Sequence, residues 1–400
     1  MAFNGNIYAL AVKVQGAVDT PASISTPADL ITCYDLRPAG ENYTLANPEG
    51  TGTVDRPGDA ITGRSRSVTF NVILRGPGGA SPPAADAWVP GRILRAARFA
   101  ETSQSAAVLA SGAMSGGTST TAVLPGGASA TDDEYNGLCC LLSAQAGTGL
   151  KKVSMIRDYV GSTTTATFME TFGASLSGNI TILPYLGYRY NASATQLYLS
   201  VDYWLDQKRY KMVNAVVSAL QFNFPVSNNG DTAFTYMTVT LTGDVHPSTP
   251  EVDENSPLVG QGGAIPVFND ADYWLGMKSF CGSGATVDFS IQSARPPCPG
   301  TASGGEAPIV TEVRRSATIN INEVLLATAD LNTLAAAQSN QNLWLQYGTG
   351  GAGKSISFGI PDGRLSYSEA EIGGQFVTRS LNLQIDAIEK SMSLMFPYGF

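Results

Sequence analysis

Apolar and polar residues alternate along much of the chain. Residues 67–74 read S-V-T-F-N-V-I-L, with Val68, Phe70, Val72 and Leu74 on one side and Thr69 and Asn71 on the other. That two-residue period belongs to a half-buried strand. Residues 195–205, 215–224 and 233–241 follow the same rhythm. Helical spacing is confined to two segments. Over 84–99, Trp88, Ile93, Leu94 and Ala97 form one apolar stripe, with Pro90 near the start, where a helix tolerates it. Over 330–340, Leu331, Leu334 and Ala335 do the same. The pattern predicts a mainly β protein with one helix in each half.

The strand pattern occurs twice. Residues 66–72 (R-S-V-T-F-N-V) return as 315–321 (R-S-A-T-I-N-I), an offset of 249. Each copy leads into one of the two helical segments. The L-Y-L of 197–199 then matches the L-W-L of 343–345, and F-T-Y-M-T-V-T-L at 234–241 matches F-V-T-R-S-L-N-L at 376–383, an offset of 142. The shrinking offset means that the first copy carries about a hundred extra residues after its helix. Residues 101–191, rich in Ser, Thr, Gly and Ala, fill that place and hold strand-like segments at 151–159 and 163–169. Each copy also has a long Gly- and Pro-rich stretch, 47–63 and 294–312, just before its R-S-x-T-x-N segment. Loops of this length in a β domain are usually functional or mobile. The repeat divides the chain into a first domain (1–100 and 192–250), an inserted β module on the outer surface (101–191) and a second domain (251–400).

Composition narrows the function. The 400 residues include 24 Lys and Arg against 33 Asp and Glu, a net charge of −9, which disfavours general phosphate binding. The single histidine, His246, leaves little scope for imidazole catalysis or His-rich metal sites. Five cysteines without a C-x-x-C pair read as free thiols in a reducing compartment. No apolar run is long enough for a membrane span, and the first residues lack the pattern of a secretory signal.

Candidate chemistry is thin. Gly348, Gly353, Lys354 and Ser355 satisfy the phosphate-binding pattern G-x-x-x-x-G-K-[ST]. That mechanism needs a helix N-terminus directly afterwards. The residues that follow, I-S-F-G-I-P-D-G, favour strand and turn instead. Aligning Leu197 with Leu343 also sets Lys354 on Lys208, in a turn between two strands. A hairpin turn is the expectation, with no cofactor and no metal. Asp132, Asp133 and Glu134 read as a solvated loop. Cys33 lacks a nearby base in sequence, and Tyr198, Tyr203, Trp204 and Tyr210 read as core or subunit interface. The apolar end, M-S-L-M-F-P-Y-G-F, must be covered either by its own domain or by a neighbour.

The opening I-Y-A-L-A-V-K-V-Q-G-A-V-D-T-P, then D-L-I-T-C-Y-D-L-R-P, the S-V-T-F-N-V-I-L-R-G strand, the helix A-D-A-W-V-P-G-R-I-L-R-A-A-R-F and the strand A-F-T-Y-M-T-V-T-L-T-G-D resemble the tail tube (major tail) proteins of long-tailed, siphovirus-like bacteriophages. Within the extra segment, A-S-A-T-D-D-E-Y-N-G-L followed by G-T-G-L-K-K-V-S-M-I-R-D-Y-V-G resembles a small β module of phage structural proteins, apart from the Cys139-Cys140 pair. The resemblance implies two tandem β-sandwich, barrel-forming domains, each with a flanking helix. It implies a structural virion protein, not an enzyme, that self-assembles into stacked rings and passes DNA through an acidic lumen into the host. Two domains per chain suggest homotrimeric rings with pseudo-sixfold symmetry; a homohexamer is the alternative. The implied partners are further copies, the tape measure, the tail terminator and the tip, with DNA passing unbound and no membrane. The implied location is the virion tail, assembled in the host cytoplasm. Equivalent long loops on one rim suit ring stacking, with Asp55 and Arg56 in the first, and Glu312 and Arg314 at the end of the second, as candidate charge pairs. A head-decoration or tail-tip protein and a carbohydrate-binding β-sandwich are the rival expectations.

Overall fold

The alternating segments become the long strands of the computed structural model. It describes residues 7–45, 47, 58, 60–143, 152–226, 234–260, 271–280, 282–296, 306–322, 340–348, 353–367, 371–373, 376–385 and 392–399. The body strands of the first half are β1 (Tyr8–Val14), β2 (Tyr34–Leu45), β3 (Ala60–Ile73), β4 (Phe99–Gln104), β5 (Tyr185–Tyr190), β6 (Leu199–Leu205), β7 (Lys208–Pro225) and β8 (Tyr236–Val245). Those of the second are β9 (Ala271–Leu275), β10 (Gly282–Ala294), β11 (Ile309–Asn322), β12 (Asn340–Tyr347), β13 (Ile356–Tyr367), β14 (Glu371–Gly373), β15 (Phe376–Gln384) and β16 (Ser393–Pro397).

The repeat is also a repeat of pairing. In the first half β1 pairs with β6, β6 with β7, β7 with β8, β8 with β3 and β3 with β2. In the second, β9 pairs with β12, β12 with β13, β13 and β14 with β15, β15 with β11 and β11 with β10. Even the register is shared. Val68 faces Leu241 and Phe70 faces Val239; the offset partners Ala317 and Leu383, and Ile319 and Leu381, face each other in the same way. Both copies have an irregularity at the same place, with positive φ at Asp35 (56°) and at Gly284 (140°). Such a bulge re-aims a strand and is a built feature.

The two halves share one apolar core, which runs from Leu10, Phe70 and Leu94 through Phe222 and Phe289 to Phe358 and Leu394. One helix lies among the described residues, α1 (Val89–Ala96), shorter than the 84–99 expected. Trp88, Ile93, Leu94 and Ala97 are all buried, as their spacing requires. Pro90 sits in the first turn, and Arg98 (φ 68°) adopts the left-handed conformation just past the last one. The second expected helix, 330–340, falls outside the described residues except for Asn340, which opens β12.

The insert is narrower than 101–191. β4 and β5 pair with each other along their whole length and belong to the body, so the extra sheet lies between Gln104 and Tyr185. Among the described residues it has seven strands, from Leu109–Ala113 to Asn179–Ile182. Cys139 and Cys140 are buried in it and act as small apolar residues. The insert is docked on the second half. Trp344 of β12 and Met395 of β16 complete its core, and Asn342 donates to the Met169 carbonyl at 2.8 Å. Arg157 reaches Asp362 at 2.8 Å, and Lys152 lies over the Trp274 ring at 5.3 Å. The apolar C-terminus packs on its own chain. β16 lies between β5 and β13 and is buried throughout.

Candidate assembly surface

β7 is long enough to pair with different strands along its length. Its first residues pair with β6, and its last pair with β8 on one side and β10 on the other. That last pairing joins the repeats, running from Ala219 opposite Ser290 to Pro225 opposite Gly284. The result is a continuous antiparallel sheet in the order β2-β3-β8-β7-β10-β11-β15-β13, with β14 extending β13 along β15.

One face of this sheet is core; the other is open and polar. Ser67, Thr69 and Asn71 on β3 alternate with buried Val68, Phe70 and Val72. Thr238, Thr240 and Thr242 on β8, Thr286, Asp288 and Ser290 on β10, and Ser316, Thr318 and Asn320 on β11 do likewise. These groups bond one another across strands. Thr69 and Thr240 hydroxyls lie 3.0 Å apart, Thr238 donates to Asn71 at 2.8 Å, Gln221 to Asp288 at 2.5 Å and Ser380 to Asn320 at 2.8 Å. Charges on this face are few and of both signs, among them Arg37, Asp288, Arg314, Arg364 and Glu371. The described part of the face is therefore polar and near neutral. The excess acid of a chain does not say which way its acids point.

Both ends of the sheet lack a further strand partner among the described residues. Among the described residues β2 has a strand partner only in β3, and Pro38 stands in it, as proline does in edge strands. At the other end, residues 365–367 of β13 and all of β14 pair only with β15 among the described residues. The corresponding stretch of β7 is the one that β10 covers.

The other singled-out residues fall as follows. Gly348, Gly353, Lys354 and Ser355 lie in the connection between antiparallel β12 and β13, with Tyr347 opposite Ile356. A strand and not a helix follows Ser355, and Gly353 has φ 67° with the Tyr398 ring against it. Asp55 and Arg56 lie outside the described residues. Glu312 and Arg314 are within β11 instead of its preceding loop, and pair with each other at 2.5 Å. Asp132 accepts from the Gly161 N–H at 2.7 Å and Asp133 from the Asn136 amide at 2.6 Å, so both acids organise a turn. Among the described residues no group of acids, histidines and cysteines could hold a metal ion. His246 accepts at Nδ1 from the Ser248 and Thr249 N–H groups, and burial with help from Lys211 holds its pKa below the ordinary value. Burial pushes the Cys33 thiol up to about 12, the reverse of an activated nucleophile.

Arg66 and Arg315 open the repeated motif, and both stack on tyrosines: Arg66 on Tyr210 at 5.3 Å and Arg315 on Tyr190 at 4.2 Å. Two ion pairs were not legible in sequence. Arg92 of α1 meets Asp29 at 2.7 Å, and Lys152 meets the buried Glu170 at 2.5 Å. Neither pair has a spacing signal, because one joins a helix to a distant loop and the other lies within the insert.

No family model matches the chain, and no curated protein matches it. Among the described residues no helix is long and apolar enough to cross a membrane.

Proposed function

We propose that this chain is a self-assembling structural subunit, a tail tube protein of a long-tailed bacteriophage, whose copies join head to tail into rings. One observation carries the reading. The two repeats are already joined in the way that copies would join, β7 to β10, and the equivalent edges at the two ends of the sheet, β13–β14 and β2, have no such partner among the described residues. A surface complementary to a different surface of the same molecule forms a ring where the rotation closes. Closure removes the edges that otherwise invite uncontrolled pairing.

Three chains would present six repeats around a lumen; six chains is the alternative. The open polar face would line that lumen. Among the described residues its hydroxyls and amides are largely bonded to each other and its arginines are interspersed with acids, so DNA could pass without sticking. The reading places the protein in the virion tail, assembled in the host cytoplasm beside tape measure, terminator and tip proteins. The long hairpin ends β2–β3 and β10–β11 are the candidates for ring stacking.

Negative-stain microscopy of the purified chain, together with mass photometry from nanomolar to micromolar concentration, tests this. Rings of three or six copies that lengthen into tubes are expected. A monomer at every concentration up to about 100 µM overturns it.

A further inference from the structure

The repeat also specifies which residues meet where one copy joins the next. Tyr236 on β8 corresponds to Thr378 on β15. Asn223 faces the first and Glu371 faces the second, so Glu371 stands for Asn223 and Ile372 for Phe224. On the other edge, Arg37 faces Thr69 and Thr286 faces Thr318, so Arg37 stands for Thr286 and Leu36 for Ala285. At the joint inside the chain, Phe224 faces Ala285 and Asn223 faces Thr286.

Phe224 is fully buried there, with its ring 5.7 Å from Tyr347 and 5.2 Å from Phe358. Its counterpart Ile372 is 84% exposed, one of the most exposed large apolar side chains among the described residues. We infer that Ile372 is the anchor of a joint to a second copy of this chain, facing Leu36 of the next copy on the core side, with Glu371 facing Arg37 of the next copy on the open side. The inference rests on the head-to-tail reading above and adds its register.

The chemistry of the facing pairs agrees with that register. An exposed isoleucine meets a partly buried leucine, and a carboxylate meets a guanidinium. Cross-strand pairs of both kinds are favourable, and a like-charge pair in the same place is not. Arg37 is exposed, and the acid it pairs with in its own strand, Asp35 at 2.9 Å, is exposed too, so its guanidinium is accessible to a partner. A slip of one residue would set Ile372 against Arg37 and turn the apolar side chain to the open face.

The test is a pair of cysteines. Directly opposed antiparallel residues lie about 4.5–5.5 Å apart at Cα, within disulfide reach. Leu36→Cys with Ile372→Cys, assembled and then oxidised, should give a ladder on a non-reducing gel that ends at the copy number of the ring. Leu36→Cys with Glu371→Cys is the off-register control, and native Cys33 is the background in both. A second arm uses exposed residues only. Arg37→Glu and Glu371→Arg should each raise the concentration needed for rings by about fivefold to tenfold, and the double variant should return it to within about threefold of wild type. Rings that form normally, with no more cross-linking at 36/372 than at 36/371 and no rescue by the double swap, overturn the register and leave the ring reading standing. A wild-type chain that forms no rings overturns both.

Discussion

Replacing Arg92 by methionine removes one half of a buried ion pair and keeps most of the side-chain volume. Arg92 is 7% exposed and Asp29 2%. The Arg92 Nη1 group donates to Asp29 at 2.7 Å and to the Val12 carbonyl at 2.8 Å, so one guanidinium ties α1 to β1 and to the loop before β2. Burial alone would raise the Asp29 pKa. The Ser25 N–H, Arg92 and Lys13 outweigh it and hold the carboxyl below its ordinary value. Arg92→Met leaves the carboxylate buried with only the Ser25 N–H at 2.7 Å and Lys13 at 3.4 Å. Breaking a buried pair from one side costs about 3–5 kcal/mol. The sign of the pH dependence follows from the shift. In the wild type the depressed pKa contributes stability that is complete above the unfolded value, about 3.9, and is lost as pH falls through the folded one. In the variant the lowering by Arg92 is lost, so the pKa lies above that of the wild type. The penalty is then largest at pH 7 and shrinks as the carboxyl takes up a proton on acidification. Denaturant unfolding of wild type, Arg92→Met, Asp29→Asn and the double variant at pH 7 and pH 4.5 reads both effects. The two losses should fall short of additivity by about 2 kcal/mol, as for groups in direct contact. A loss under 1 kcal/mol that is the same at both pH values refutes the reasoning.

Three shorter predictions concern other sites. Gly91→Ala, a change that in an exposed helix gains about 1 kcal/mol, should destabilise by about 1–3 kcal/mol in a thermal melt, because a Cβ there would lie 2.0 Å from the Tyr188 hydroxyl oxygen, which Glu101 holds at 2.9 Å. Cys139 and Cys140 should stay silent to an aromatic disulfide reagent at pH 8 and react once the chain is unfolded; burial pushes the Cys139 thiol up to about 12 and raises that of Cys140 as well. Lys354→Ala should leave the melting temperature within about 2 °C, and calorimetric titration of the wild type with magnesium ATP should give no binding heat, since no helix follows the Gly-rich turn.

The sequence alone settled the class and the strand faces. Alternation at 67–74 and 233–241 marks which side chains face inward, because successive residues of a strand point to opposite sides. The offsets of 249 and 142 reappear as one register in two places, because a slip of one residue would turn every apolar side chain to the wrong face. The helical stripe at Trp88, Ile93, Leu94 and Ala97 was legible for the same reason. Periodicity names a face but not what covers it. Trp344 alternates with Leu343 and Leu345, which face the main core, so it points to the other side, where it completes the core of the insert. The run S-L-M-F-P at 393–397 is buried on every residue, so it carries no period, and its place between β5 and β13 could not be read from it. The β7–β10 joint, the seating of the insert and the Arg92–Asp29 pair each unite residues far apart in sequence. Such contacts are decided by which arrangement of whole elements buries the most apolar surface while satisfying each polar group inside it, and only the tertiary structure makes that choice.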